Sequence, residues 1–114
     1  MRVFKRGDIV RVSLNPVVGK EQQGDMHPAL VLSTDKFNRV AGVALIAPIS
    51  QGANFARVAG FASSLAGTDC ETQGVVIASM IRSVDLVGRQ ARFVESAPDY
   101  LVDDVLARVQ AILE

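Results

Sequence analysis

Residues 28–33 read Pro-Ala-Leu-Val-Leu-Ser, a continuous apolar run of strand length. No polar residue alternates through it, so the run predicts a strand covered on both faces. The proline at its head holds the preceding residue, His27, in an extended conformation at the strand entrance. Upstream, residues 8–14 alternate, with Val10, Val12 and Leu14 on one face and Arg11 and Ser13 on the other. Asn15-Pro16 ends that strand, because proline has no N–H to give to a ladder. A polar loop with Gly19 and Gly24 then leads to Met26.

Downstream, Thr34-Asp35-Lys36-Phe37-Asn38 predicts a single helical turn with Thr34 as its cap. Residues 43–48 form a second buried run. Residues 60–65 and 74–79 predict further strands around the turn-rich Ala66-Gly67-Thr68-Asp69. Residues 89–94 are another strand candidate. The period then changes. Leu101, Val105, Val109 and Ile112 follow helical spacing, and Val102, Leu106 and Leu113 widen the stripe. Pro98 suits a first helical position and Asp99 the positive end of the helix dipole. Short strands followed by one amphipathic helix predict a mainly β fold, a compact barrel or strongly bent sheet with a C-terminal helix packed on it.

Composition bounds the function. The 114 residues predict one domain, 1–114, and 49% apolar against 21% charged residues is an ordinary globular balance. The single cysteine, Cys70, excludes an internal disulfide framework and fits a reducing cytoplasm. No run approaches the roughly 20 apolar residues of a membrane span, so no membrane partner is expected. The start, MRVFKRGD, lacks the apolar stretch of a secretory signal. The net charge of zero divides unevenly. Residues 1–94 hold 11 Lys/Arg against 7 Asp/Glu, and residues 95–114 hold 1 against 5. A basic body of this kind either meets nucleic acid through phosphate or simply carries ordinary surface charge.

Several chemistries lack their residues. One histidine and one cysteine cannot build a standard structural zinc site, and no phosphate-binding or dinucleotide fingerprint appears. Gln51-Gly52-Ala53-Asn54-Phe55 is a polar loop with a weak phosphate signal. No cofactor is expected. What remains is Glu21 and His27 flanking one loop, Ser50 after a buried strand, and scattered arginines. Glutamate and histidine can work as base and acid, and arginine can balance charge on a phosphoryl group. RNA carries its own nucleophile, the 2′-hydroxyl. Each residue also has a plain reading, Glu21 as a solvated loop carboxylate and His27 as punctuation before a strand.

The motifs resemble one family. Arg6-Gly7-Asp8-Ile9-Val10, Asn15-Pro16, Gly19-Lys20-Glu21-Gln22-Gln23-Gly24 and His27-Pro28-Ala29-Leu30-Val31-Leu32-Ser33 look like the MazF/PemK toxins. So do Ala47-Pro48-Ile49-Ser50-Gln51-Gly52, Asn54-Phe55-Ala56-Arg57, and Gly74-Val75-Val76 leading to Arg82-Ser83-Val84-Asp85. The resemblance implies an SH3-like barrel of the MazF/PemK/CcdB type, acting as a homodimer. It implies a type II toxin that cleaves single-stranded RNA without metal, leaving 2′,3′-cyclic phosphate and 5′-hydroxyl ends. It also implies a MazE/PemI-like antitoxin as partner, and operator DNA bound by the pair.

Site residues follow from the same resemblance. Glu21, His27 and Ser50 are the implied catalytic groups. Lys20, Gln22, Gln23, Gln51, Asn54, Phe55, Arg57, Ser79 and Arg82 are implied substrate contacts, although by residue type alone Phe55 reads as core sooner than as a contact. The chain also departs from the family pattern, which usually has arginine where His27 stands. The Kid-like branch has histidine, arginine and aspartate where this chain has Lys20, Ile77 and Ser79. These departures leave a rival reading, a catalytically degenerate member that binds antitoxin or nucleic acid. A CcdB-like gyrase poison is a further rival, although Ile112-Leu113-Glu114 lacks that family's aromatic ending.

Overall fold

The computed structural model describes residues 3–14, 26–52 and 60–114. Lys20, Glu21, Gln22, Gln23, Asn54, Phe55 and Arg57 lie outside the described residues. In chain order the elements are β1 (Asp8–Val12), β2 (His27–Val31), α1 (Asp35–Ala41), β3 (Ala44–Ser50), β4 (Ala62–Ser64) and β5 (Val75–Ile77). A short 3-10 helix (Ala78–Met80), β6 (Arg82–Val84), β7 (Arg92–Ser96) and α2 (Asp99–Leu113) complete them. The antiparallel order is β4-β5-β3-β2-β1-β7, with β6 pairing the first half of β3.

β3 is the pivot of the sheet. Residues 44–46 pair with β6, while Ile49 and Ser50 pair with Val76 and Val75 of β5. Pro48, which has no N–H to donate, sits between the two pairings. The strands at the centre are apolar throughout because both faces are covered. Ile9, Leu30, Ala47 and Val76 pack against Leu101, Val102 and Val105 of α2. Val10, Val12, Val31 and Ile46 form a second cluster with Phe4, Val84 and Leu86. The strand predicted over 28–33 is therefore buried on both sides, as its composition requires.

The structure adjusts several boundaries. β1 does not simply alternate: Ile9 and Val10 are both fully buried, one in each cluster. α1 is longer than the single turn expected. Thr34 does cap it, accepting from Phe37 N at 3.2 Å, but the helix continues until Gly42 closes it at φ 76°. The last strand lies at 92–96 rather than 89–94, because a turn fastened by Gly88 N donating to Asp85 Oδ1 at 2.9 Å occupies the preceding residues. β6 was not foreseen. In α2, Pro98 is the N-cap rather than the first helical residue, and Ile112 and Leu113 extend past the sheet into solvent.

Candidate functional site

The ends of three strands decide where polar groups gather. β2 begins at His27, opposite Val12 at the end of β1, and β3 ends at Ser50, opposite Val75 at the start of β5. A cavity of about 420 Å³ opens at this end of the sheet. Arg11 and Pro28 border it from β1 and β2. Ile49, Ser50 and Gln51 border it from β3 and the turn beyond, and residues 71–73 from the loop before β5. His27 is exposed in it and Ser50 half-buried. Arg11 Nη1 donates to the Met26 carbonyl at 3.0 Å, immediately before His27. The Ser50 hydroxyl donates to the Gln51 carbonyl at 3.3 Å.

The 71–73 wall is held by a residue that sequence reasoning passed over. Glu95, on β7, accepts from Glu71 N at 3.0 Å through one carboxylate oxygen. Its other oxygen accepts from Thr72 N at 2.9 Å and Thr72 Oγ1 at 2.7 Å. Burial acts to raise the Glu95 carboxyl, but the hydrogen bonds from Thr72 and Glu71 outweigh it and hold it below the ordinary 4.5. A depressed carboxyl contributes stability that is present above the ordinary value and lost as pH falls through the folded one. Hydrogen-exchange protection of the Glu71 and Thr72 amides should therefore hold above pH 4.5 and decline below it. Glu95→Gln should weaken that protection even at neutral pH, and parental protection in the variant would contradict the clamp.

Of the residues singled out in the sequence, His27, Ser50 and Gln51 share this cavity. Ser79 is exposed on the 3-10 helix, and neither it nor Arg82 borders the cavity. Arg82 Nη1 instead donates to the Leu14 carbonyl at 3.0 Å, beside a matching bond of 2.9 Å from Arg89 Nη1 to Ser13. Arg11, Glu71, Thr72 and Gln73 were missed. Arg11 reads in sequence as an ordinary outward position of β1; only its pairing opposite Pro28 places it beside the cavity. Among the described residues no three His, Cys, Asp or Glu side chains gather to hold a metal ion. No helix among them is long and apolar enough to cross a membrane. A second cavity, about 370 Å³ and mainly apolar, lies between Phe4, Asn38 and Leu86.

On the opposite flank, α2 is fastened to β4. The Ser63 hydroxyl donates to Asp104, Arg108 Nε donates to the same carboxylate at 2.9 Å, and Arg108 Nη1 reaches the Gly60 carbonyl. The bonds from Ser63 and Arg108 hold the Asp104 carboxyl below its usual value.

Comparison with known proteins agrees with this architecture. The pattern of the PemK-like, MazF-like toxins of type II toxin–antitoxin systems matches residues 5–113. Endoribonuclease toxin ChpB of Escherichia coli strain K12 is 47% identical over 111 residues, spanning 97% of this chain and 95% of that one. Endoribonuclease PemK of Escherichia coli is 41% identical over 110 residues, 96% of this chain and 82% of that one. Among solved structures, MazF in a MazE–MazF complex from Deinococcus radiodurans superposes with a TM-score of 0.84 at 28% identity, covering 98% of this chain and 97% of that chain. With the motifs, the bent antiparallel sheet and the near-complete coverage in agreement, this chain belongs to the PemK-like, MazF-like toxin family of type II toxin–antitoxin systems.

Proposed function

We propose that this chain is an endoribonuclease toxin that cuts single-stranded RNA by attack of the substrate's own 2′-hydroxyl. The observation that carries the reading is the single cavity in which His27, Ser50 and a guanidinium, Arg11, meet. The curated relatives named as endoribonucleases support it. In the reaction the 2′-oxygen bonds to phosphorus as the bond from phosphorus to the 5′-oxygen breaks. Glu21 takes the proton from the 2′-hydroxyl, and His27 as imidazolium gives one to the departing 5′-oxygen. Ser50 contacts the phosphate. The products are a 2′,3′-cyclic phosphate and a 5′-hydroxyl, and because nucleophile and proton donors are all organic groups the step runs without a metal.

Substrate contacts extend over Lys20, Gln22, Gln23, Gln51, Asn54, Phe55, Arg57, Ser79 and Arg82, with Lys20, Arg57 and Arg82 on the backbone and Asn54 and Phe55 on bases. One cavity of this size on a 12.2 kDa chain is a small surface for a strand of RNA, so the working form is a homodimer whose groove both copies build. An acidic segment of a MazE/PemI-like antitoxin occupies that groove, and the pair binds operator DNA in the cytoplasm. The relative solved as a MazE–MazF complex supports the antitoxin. One feature favours a second reading: His27 stands where the resembled family usually has arginine, which fits a member that binds antitoxin but no longer cuts.

Incubation with a long mixed-sequence RNA in excess chelator separates the two. Fragments with 5′-hydroxyl ends are expected. Intact RNA across a broad sequence set, together with tight antitoxin binding, would replace the nuclease with the degenerate reading. Sedimentation should give about twice the chain mass, and a monomer at micromolar concentration would overturn the shared groove.

A further inference from the structure

Arg11 on β1 stands directly opposite Arg92 on β7, and both side chains are exposed. Directly opposed residues of an antiparallel pair have Cβ atoms about 4.5–5.5 Å apart, and like charges there destabilise the sheet. A carboxylate beside the pair would relieve this, but the nearby acids among the described residues are placed otherwise. Both oxygens of Glu95 are engaged by residues 71 and 72. Glu71 lies across the cavity, in the loop before β5. The Arg11 side chain donates to a neutral carbonyl, that of Met26, and the Arg92 side chain has no hydrogen-bond or ion-pair partner among the described residues. Among the described residues no counter-charge meets these two guanidinia, and side by side they make a surface that an anion would stabilise.

From this geometry we infer that Arg11 and Arg92 form a two-arginine clamp on the RNA backbone, leading it from the edge of the sheet into the cavity. β7 is the last strand of the order, so Arg92 stands at the rim, and Arg11 is one strand further in and borders the cavity itself. Each guanidinium can grip a phosphate with two parallel N–H bonds, which a lysine cannot copy. The clamp rests on the ribonuclease reading for the chemistry at its inner end. Its own function is to bind and align successive phosphates.

The test uses an RNA spanning a mapped cut, with 2′-methoxy replacing 2′-hydroxyl so that it binds without being cleaved. If no cut can be mapped, a mixed-sequence 2′-methoxy RNA takes its place. Single-strand binding loses about 0.7 in the slope of log K against log salt for each phosphate contact removed. Arg11→Gln and Arg92→Gln should each reduce the slope by about that amount and weaken binding about tenfold. Arg11→Lys should keep the slope but bind less tightly than the parent. Thermal midpoints of both glutamine variants should equal or exceed the parent's, since a like-charge contact is removed. Arg39→Gln, on α1 and paired with Asp35 at 3.7 Å, serves as the control and should leave the slope unchanged.

Parental slope and affinity in both glutamine variants would overturn the clamp, even if the parent cleaves RNA well. So would loss of antitoxin binding with RNA binding intact, which would assign the arginines to a protein partner. A parent that cuts no RNA, yet binds the methoxy strand through both arginines, would remove the nuclease reading and leave the clamp standing. A parent that binds no RNA at all would overturn both.

Discussion

His27→Ala should lower the rate of RNA cleavage by about 10²–10⁴-fold while leaving the fold intact, because general acid catalysis is of that size. His27 is exposed at the very start of β2, so truncating it removes no core contact. A conservative variant identifies the role. His27→Arg keeps a positive charge at the same place and should retain part of the cleavage that His27→Ala loses. If His27 is instead a replacement that silenced the site, the parent is nearly inactive and His27→Arg restores cleavage. Identical rates for the parent, His27→Arg and His27→Ala would remove His27 from the mechanism.

Gly74→Ala should destabilise the protein by about 1–3 kcal/mol through its backbone conformation alone, and by more through collision. Gly74 has φ +122°, and a Cβ there would lie 2.7 Å from the Ser50 carbonyl oxygen and 3.0 Å from its carbon. The obstruction is backbone, so no side-chain rotation relieves it. Ser50 or residues 71–73 must then shift, and both border the cavity. Stability and cleavage should therefore fall together. Gly42→Ala provides the contrast: its φ is +76°, but nothing lies within 4 Å of the added carbon, so only the conformational penalty of about 1 kcal/mol applies. Urea denaturation compares the two, and equal losses would show that the Ser50 contact carries no weight.

What was readable in the sequence followed local physics. Residues 28–33 declare a doubly covered strand by composition, Thr34 declares a cap, and the spacing of Leu101, Val102 and Val105 declares the helix face buried on the sheet. Elements that depend on distant pairing were not readable. β6 is three residues, Arg-Ser-Val, and exists because residues 44–46 of β3 offer it an edge. The shift of β7 follows from the turn at residues 85–90, where Gln90 adopts φ 58°. His27, Ser50 and Gln51 were singled out through residue chemistry and motif resemblance, and all three border one cavity. Arg11 and Glu95 were not, since their placement depends on what lies opposite them in the register and across the loop.

The central claim is that RNA engages the cavity at the ends of β1, β2 and β3. Amide chemical shifts recorded while the 2′-methoxy RNA is titrated into labelled protein test it most directly. The largest changes are expected at His27, Ser50, Gln51, Thr72 and Gln73. Changes confined to the apolar cavity around Phe4, Asn38 and Leu86, with those five amides unmoved, would contradict it.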